Sequence, residues 1–375
     1  MTPMAASDMY KRGRKLTVDR PMTVFLAAVG VLLLAELVRK LLIGEVAVSR
    51  VIGVIWVGLM RGLVIGLAGI GLSMTYSILN FANFAHGDYI TAGAFSGWSV
   101  TYLIAGGLGS RADIGALALV GAGGSVFGGT LGINVVATPV AVVAGLIVAG
   151  LTTVVLTLGI DRAVFKPIRG AGGIPLLITS VGVAFALRYI LLFVFGSDTR
   201  GTTATGTLPG IRPYIVDGTV LFNAHHLTVV VVAGGLMLGV HLLLQRTKLG
   251  KAMRAMSDNE SLARITGIPT ERVIRSTWII GGALTGIAGF TFVLWKGTLS
   301  FNDGWLLLLL IFAAVILGGI GSIYGAIVGG IAIGLTAEAA VLWIPSGFGR
   351  AAAFGVMILI LVVRPQGIFS GRSTA

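Results

Sequence analysis

Residues 80–88 read Asn-Phe-Ala-Asn-Phe-Ala-His-Gly-Asp and set two amides, an imidazole and a carboxylate between two apolar runs of membrane length. Hydrocarbon offers no partner to a backbone N–H or C=O, so such a break is stable only against protein or beside a watery cavity. That chemistry suits a polar solute passing through a bilayer, or a hinge beside its path. Asn80, Asn83, His86, Gly87 and Asp88 are therefore the candidate translocation residues.

Other reactive side chains carry less. His225 and His226 are adjacent, so they cannot present the same-face pair that a helical metal site needs, and no metal is expected. His241 lies in an apolar stretch and reads as a hydrogen-bonded packing residue. Glu36, Arg188 and Glu338 fall in or near apolar segments, where an internal ion pair or snorkelling to the interface is the expected fate. Arg61 suits headgroup contact, with a substrate carboxylate as the other use. The chain has no Gly-x-x-x-x-Gly-Lys-Ser/Thr loop to cradle phosphate, and only 14 acids, few of them within spans. With no cysteine, disulfides, thiolate metal sites and cysteine nucleophiles are excluded. No catalysis and no cofactor are expected in this chain.

The elements that position these residues are membrane helices. Of 375 residues, 56% are hydrophobic and 11% charged, which no soluble domain could hide. Candidate spans are 22–43, 51–79, 88–107, 134–160, 174–195, 226–245, 276–296, 305–320, 323–344 and 350–365. The expected fold is an all-α polytopic bundle of about ten spans, broken helices included. The first run follows Lys11, Arg12, Arg14, Lys15 and Arg20 like the opening of a signal peptide, but its length and the lack of a small-x-small cleavage site favour a retained anchor.

The net charge of +13 reflects orientation rather than nucleic-acid binding, because the basic residues cluster in alternate loops. With the N-terminus inside, the inner segments also hold Arg162, Lys166 and Arg169, then Arg246, Lys248, Lys251, Arg254, Arg264, Arg272 and Arg275, then Arg364 and Arg372. A further crossing within the Gly-rich stretch 106–132 would reverse this pattern, so that stretch reads as an external or re-entrant loop.

Gly58, Gly62 and Gly66, and likewise Gly321, Gly325 and Gly329, recur every four residues and mark helix faces open to close packing. The glycines around Ser322 and Tyr324 suggest a second broken hairpin, and paired interruptions point to a transport site. Segment 246–275 reads as helix, Gly267-Ile268-Pro269 stop, and new helix from Thr270. On the cytoplasmic face it suits docking to a soluble partner, or lying on anionic lipid.

Three stretches carry a resemblance to the H-type permease of branched-chain amino acid ABC importers. Asn83-Phe84-Ala85-His86-Gly87-Asp88, after Gly58, Gly62 and Tyr76, is similar to the family signature, with Asp88 where Glu is more usual. Lys248-Leu249-Gly250-Lys251-Ala252-Met253-Arg254-Ala255, then Asp258, Asn259, Ala263, Gly267 and Ile268, resembles its ATPase-coupling segment. Residues 314–325 resemble its late Gly-rich hairpin, and Arg364-Pro365-Gln366-Gly367 its closing motif.

The resemblance implies a permease domain over 51–367 that includes coupling segment 246–275; the basic N-terminus with an extra anchor helix over 1–50 is additional to the family core, and 368–375 is a tail. It implies inward, alternating-access transport of branched-chain amino acids, with an extracytoplasmic binding protein, a second related permease and two cytoplasmic ATPases that hold ATP and Mg²⁺. Its setting would be the cytoplasmic membrane, multi-pass, with both termini inside. Urea, amides or other amino acids are alternative cargoes, and a self-sufficient secondary transporter or channel is the alternative class.

Overall fold

The computed structural model describes residues 21–105, 133–203 and 210–369. The basic N-terminal residues, the 106–132 stretch and most of the tail lie outside them. Long helices dominate: α1 (Pro21–Leu42), α2 (Val48–Leu79), α3 (His86–Ala105), α4 (Pro139–Ile160), α5 (Gly173–Phe195) and α6 (Ala224–Arg246). After two short helices, α7 (Lys248–Asp258) and α8 (Glu260–Ile265), come α9 (Thr270–Lys296), α10 (Asp303–Gly318), α11 (Ile323–Ala339) and α12 (Gly349–Val363).

Eight of the described helices are long and apolar enough to cross a membrane. With the 20-residue α3 and the 16-residue α10, the polytopic bundle of about ten spans is present. The fourth span starts at Pro139 rather than 134, because Asn134 spends its side chain on the N–H groups of Val136 and Ala137 and holds a turn there. Its far end runs on through a π-turn, Asp161–Phe165.

Small residues set the packing order. A Cβ on Gly62 would stand 2.7 Å from the Ile331 backbone, and one on Gly58 3.0 Å from Leu335, so α2 and α11 run backbone against backbone. Gly325 and Gly329 do the same between α11 and α10. Gly321 does not belong to that face: it lies in the turn before α11 with φ of +85°, a conformation that disfavours L side chains. The late hairpin is held from outside as well, since Ile368 and Phe369 donate to Leu317 O and Gly318 O and bring the closing motif onto it.

The core lies where α2, α3, α9 and α10 meet, while α1 presents exposed Leu32 and Leu34 and touches the body through Lys40 Nζ to Leu342 O, 3.1 Å. Short strands lie at one end of the bundle, pairing Arg200 with Leu299 and Tyr214 with Thr219. The α7–α8 hairpin lies at the other.

Candidate functional site

The break begins where α2 unwinds. Asn80 takes the left-handed conformation at φ 53°, ψ 36° and its N–H bonds Tyr76 O at 2.9 Å, an ending that asparagine tolerates better than most side chains. The chain then turns back along the helix it has just left. Asn83, fully buried, accepts the Ala85 N–H on its Oδ1 at 3.1 Å and so shapes the return. His86 ends beside Ala68, with Nε2 3.0 Å from Ala68 O, a distance that requires Nε2 to carry the proton. Ala68 lies eleven residues before Leu79, about 16 Å at the rise of an α-helix, so α3 starts at membrane depth.

Three neighbours fasten this re-entrant start. Ser180 of α5 accepts the Phe84 N–H at 3.0 Å. Arg188, about four turns along the same helix from its start, donates to both oxygens of the fully buried Asp88 at 3.2 Å each. Its guanidinium also stacks 4.3 Å from the Trp305 ring. From α10, Gly304 N–H donates to Thr91 Oγ1 at 3.1 Å, and a Cβ on Gly87 would meet Gly304 O at 2.8 Å. Gly87 is thus the close-contact point of α3 on α10.

The sequence sets Asp88 in the break and gives Arg188 an internal ion pair or snorkelling as its expected fate, without joining the two. A guanidinium in the middle of an apolar span was the available signal, because it must find a carboxylate and few acids lie at that depth. Glu338 likewise pairs with Arg61 at 2.6 Å, and Glu36 with Arg39 at 2.6 Å. His241 Nδ1 meets Tyr324 OH at 2.6 Å, the packing role expected of it. His225 Nε2 accepts from Val135 N–H at 3.3 Å, and His226 Nδ1 from Trp56 Nε1 at 3.0 Å. Ser180 and Thr91 carried no signal of their own.

Segment 246–275 is more finely divided than its spacing suggests. Asn259 interrupts it with φ −159° and accepts the Leu262 N–H at 2.9 Å, so two helices replace one. Thr247 Oγ1 caps α7 by accepting the Gly250 N–H at 3.0 Å, and Gly250 packs under the Leu243 and Leu244 carbonyls where no Cβ fits. Gly267, at φ +85°, ends α8, and Ile268 N–H returns to Ala263 O at 3.0 Å. Ala263 is buried within this hairpin rather than offered outward, with Met253 and Met256 buried beside it. The outward apolar residues are Leu262 and Ile265, the latter 83% exposed. Arg254 reaches Gln245 at 3.3 Å, Asp258 is exposed, and Ala255 is half-buried.

From Thr270, α9 runs unbroken to Lys296 and passes the break on its way. The position a Cβ would take on Gly71 lies 2.8 Å from Thr285 Oγ1 and 3.3 Å from His86 Cε1, so α2, α9 and His86 share one corner.

Residues 54–364 match the family model described as branched-chain amino acid transport system / permease component. The chain belongs to that family. Among curated relatives, the permease protein BraD of the high-affinity branched-chain amino acid transport system of Pseudomonas aeruginosa is 27% identical over 317 residues, 83% of this chain and 94% of the relative. LivH of Escherichia coli is 27% identical over 315 residues, 83% and 92% of the two chains. The probable LivH of Methanocaldococcus jannaschii is 30% identical over 318 residues, 80% and 87%. No solved structure matches the chain significantly. The matched range contains both the break and the α7–α8 hairpin, so this multi-pass chain is an integral permease subunit of an ABC importer.

Proposed function

We propose that this permease carries branched-chain amino acids inward as one of two permease subunits, paired with a related but different chain. An extracytoplasmic binding protein delivers the solute. ATP and Mg²⁺ act on two cytoplasmic ATPase subunits, and this chain catalyses nothing. The α7–α8 hairpin, with Gly250, Arg254, Ala255, Asp258, Asn259, Ala263 and Gly267 shaping it, receives the ATPase stroke. Residues 80–88 are the hinge beside the path.

The continuity of α9 carries the reading. It starts three residues after the Gly267 pivot and runs as one rod whose Thr285 meets Gly71 beside His86, so a tilt imposed at the hairpin is felt at the start of α3. The break is suited to yield there because side-chain bonds, rather than a continuous helical ladder, hold it. A cytoplasmic orientation for that face is supported by its charge: Lys166 and Arg169, which pair with Glu271, lie beside the basic hairpin, and the positive-inside bias extends the same reading to both termini.

ATP-driven uptake into vesicles holding the full complex tests the proposal. Ile265→Glu places a charge on the outward apolar tip and should halt uptake and release the ATPase while the permease pair stays assembled. Normal uptake and ATPase retention in that variant would remove the hairpin from the mechanism, and uptake that persists without ATP would make the chain a secondary transporter. Competition by leucine, isoleucine, valine, amides and urea reads the cargo.

A further inference from the structure

At the cytoplasmic end of the bundle, α4 and α9 separate below the contact of Thr157 Oγ1 with Trp278 O at 3.3 Å. A cleft of about 880 Å³ opens between them. Arg162 and Lys166 line one wall, Arg272 and Arg275 the other, with Leu158 and Ile274 above. Two acids lie in it, and both are engaged. Asp161 accepts Arg169 on two oxygens at 2.6 and 2.8 Å, and Glu271 accepts Lys166 and Arg169 at 3.1 Å each. Among the described residues no carboxylate is bonded to Arg162, Arg272 or Arg275, and all three are exposed. Three guanidiniums therefore face one cleft with their charge uncompensated.

The wall above the cleft says what kind of anion enters it. On α4 the exposed large apolar side chains are Val140, Val143, Ile147, Leu151 and Val155, a stripe at three- and four-residue spacing that continues into Arg162 and Lys166. From Val140 to Val155 the stripe covers about 22 Å of helix, enough to run alongside an acyl chain of one leaflet. On α9 the exposed residue above Arg272 and Arg275 is Ile279. An apolar track on the outer face of α4 that ends in unpaired guanidiniums matches a lipid better than a free anion, which would gain nothing from the track.

We propose that this cleft binds the phosphate headgroup of an anionic phospholipid, its acyl chains lying along the α4 stripe. The cleft is formed partly by the first two turns of α9, so an occupied site ties the start of that rod to α4. The inference rests on the orientation proposed above only for the name of the leaflet, and lipid retention is read without any transport step.

The test uses the full complex, delipidated in detergent and exposed to mixed micelles of phosphatidylglycerol or phosphatidylcholine, with retained lipid counted by native mass spectrometry. Phosphatidylglycerol should be retained and phosphatidylcholine lost. The variant Arg162→Gln/Arg272→Gln/Arg275→Gln should lower phosphatidylglycerol affinity by about fivefold per guanidinium, roughly a hundredfold in all. Arg246→Gln/Lys251→Gln, on exposed basic residues outside the cleft, should leave it unchanged. The proposal falls if the two variants lose lipid equally, if phosphatidylcholine is retained as well, or if inorganic phosphate displaces the lipid at equal concentration, which would mark a free-anion site. It falls too if the cleft variant keeps its lipid but sheds the ATPase, which would make this a protein-docking surface.

Discussion

Between α2 and α3 the chain passes from one helix to the next with polar side chains, and between α10 and α11 it does so with glycines. The first break folds back about 16 Å along its own helix and is held by Asn83 within the turn, by His86 on α2, by Asp88 on α5 and by Thr91 on α10. The second is four residues long, uses positive φ at Gly319 and Gly321, and is closed mainly by backbone bonds, from Ser322 N–H to Gly319 O and from Ile368 and Phe369, with Ser322 Oγ accepting the Gly325 N–H as a side-chain cap. Side-chain bonds can be exchanged one at a time as helices move, whereas a backbone turn either keeps its dihedrals or is lost. On the function proposed above, the polar break is the part that changes and the glycine turn the part that stays.

The strongest way to break that contrast is to leave one buried charge of the polar break without its partner. Arg188→Ala strands Asp88 at full burial and should destabilise the permease by about 3–5 kcal/mol, seen as lost assembly on size-exclusion chromatography. Asp88→Asn with Arg188→Met should restore assembly, because the ion pair is replaced by neutral groups of similar volume, yet leave uptake impaired. Restored uptake in that double variant would make the pair mere packing.

The glycine turn should respond differently. Gly321→Ala forces an L side chain to φ +85° at a cost of about 1–2 kcal/mol, but its Cβ would meet no clash, only ordinary contact with Ser77 at 3.7 Å and Tyr76. A lowered thermal midpoint with uptake per assembled complex unchanged is expected. Equal loss of both would place the turn in the moving part.

His86→Ala removes one hydrogen bond to Ala68 O, about 1 kcal/mol. Assembly should survive while uptake falls severalfold, the reverse of the Gly321 result. Parent-rate uptake would reduce the break to a satisfied kink.

The smallest effect lies outside the membrane. Asp217 accepts the Val48 and Ser49 N–H groups at 2.5 and 2.9 Å and so caps α2 from a distant loop. Those donors hold its carboxyl below the usual range, the Ser49 N–H contributing most. A depressed folded-state pKa means that its stabilisation is complete above the unfolded value, near 3.9, and fades as pH falls through the folded one. The thermal midpoint of Asp217→Asn should therefore trail the parent slightly at pH 7 and meet it in strong acid. A constant gap across that range would show that the carboxylate's charge is not what caps α2.

Much of this was open to a reading of residues because lipid is a demanding solvent. Apolar length places the spans, the polar break announces itself by its cost, and Gly267 followed by Pro269 ends one helix before the next. Gly321 shows the limit. Its four-residue spacing from Gly325 looked like a helix face, but spacing carries no record of φ. Ala263 shows another, since a small residue on a short helix leaves room for a partner and for its own chain equally well, and here Met253, Met256 and Ala263 are all buried. The 106–132 stretch lies outside the described residues.

By itself the sequence determined the solvent and the elements, a bundle of membrane helices with its basic loops alternating and its polar residues gathered in one break, because transfer free energies act on each residue where it stands. Which helix those polar residues lean on was decided only in three dimensions. Asp88 and Arg188 are a hundred residues apart, and His86 and Thr285 are farther. A buried charge demands a partner without naming one, and only the packing of α5, α9 and α10 around the start of α3 supplies the geometry that names it.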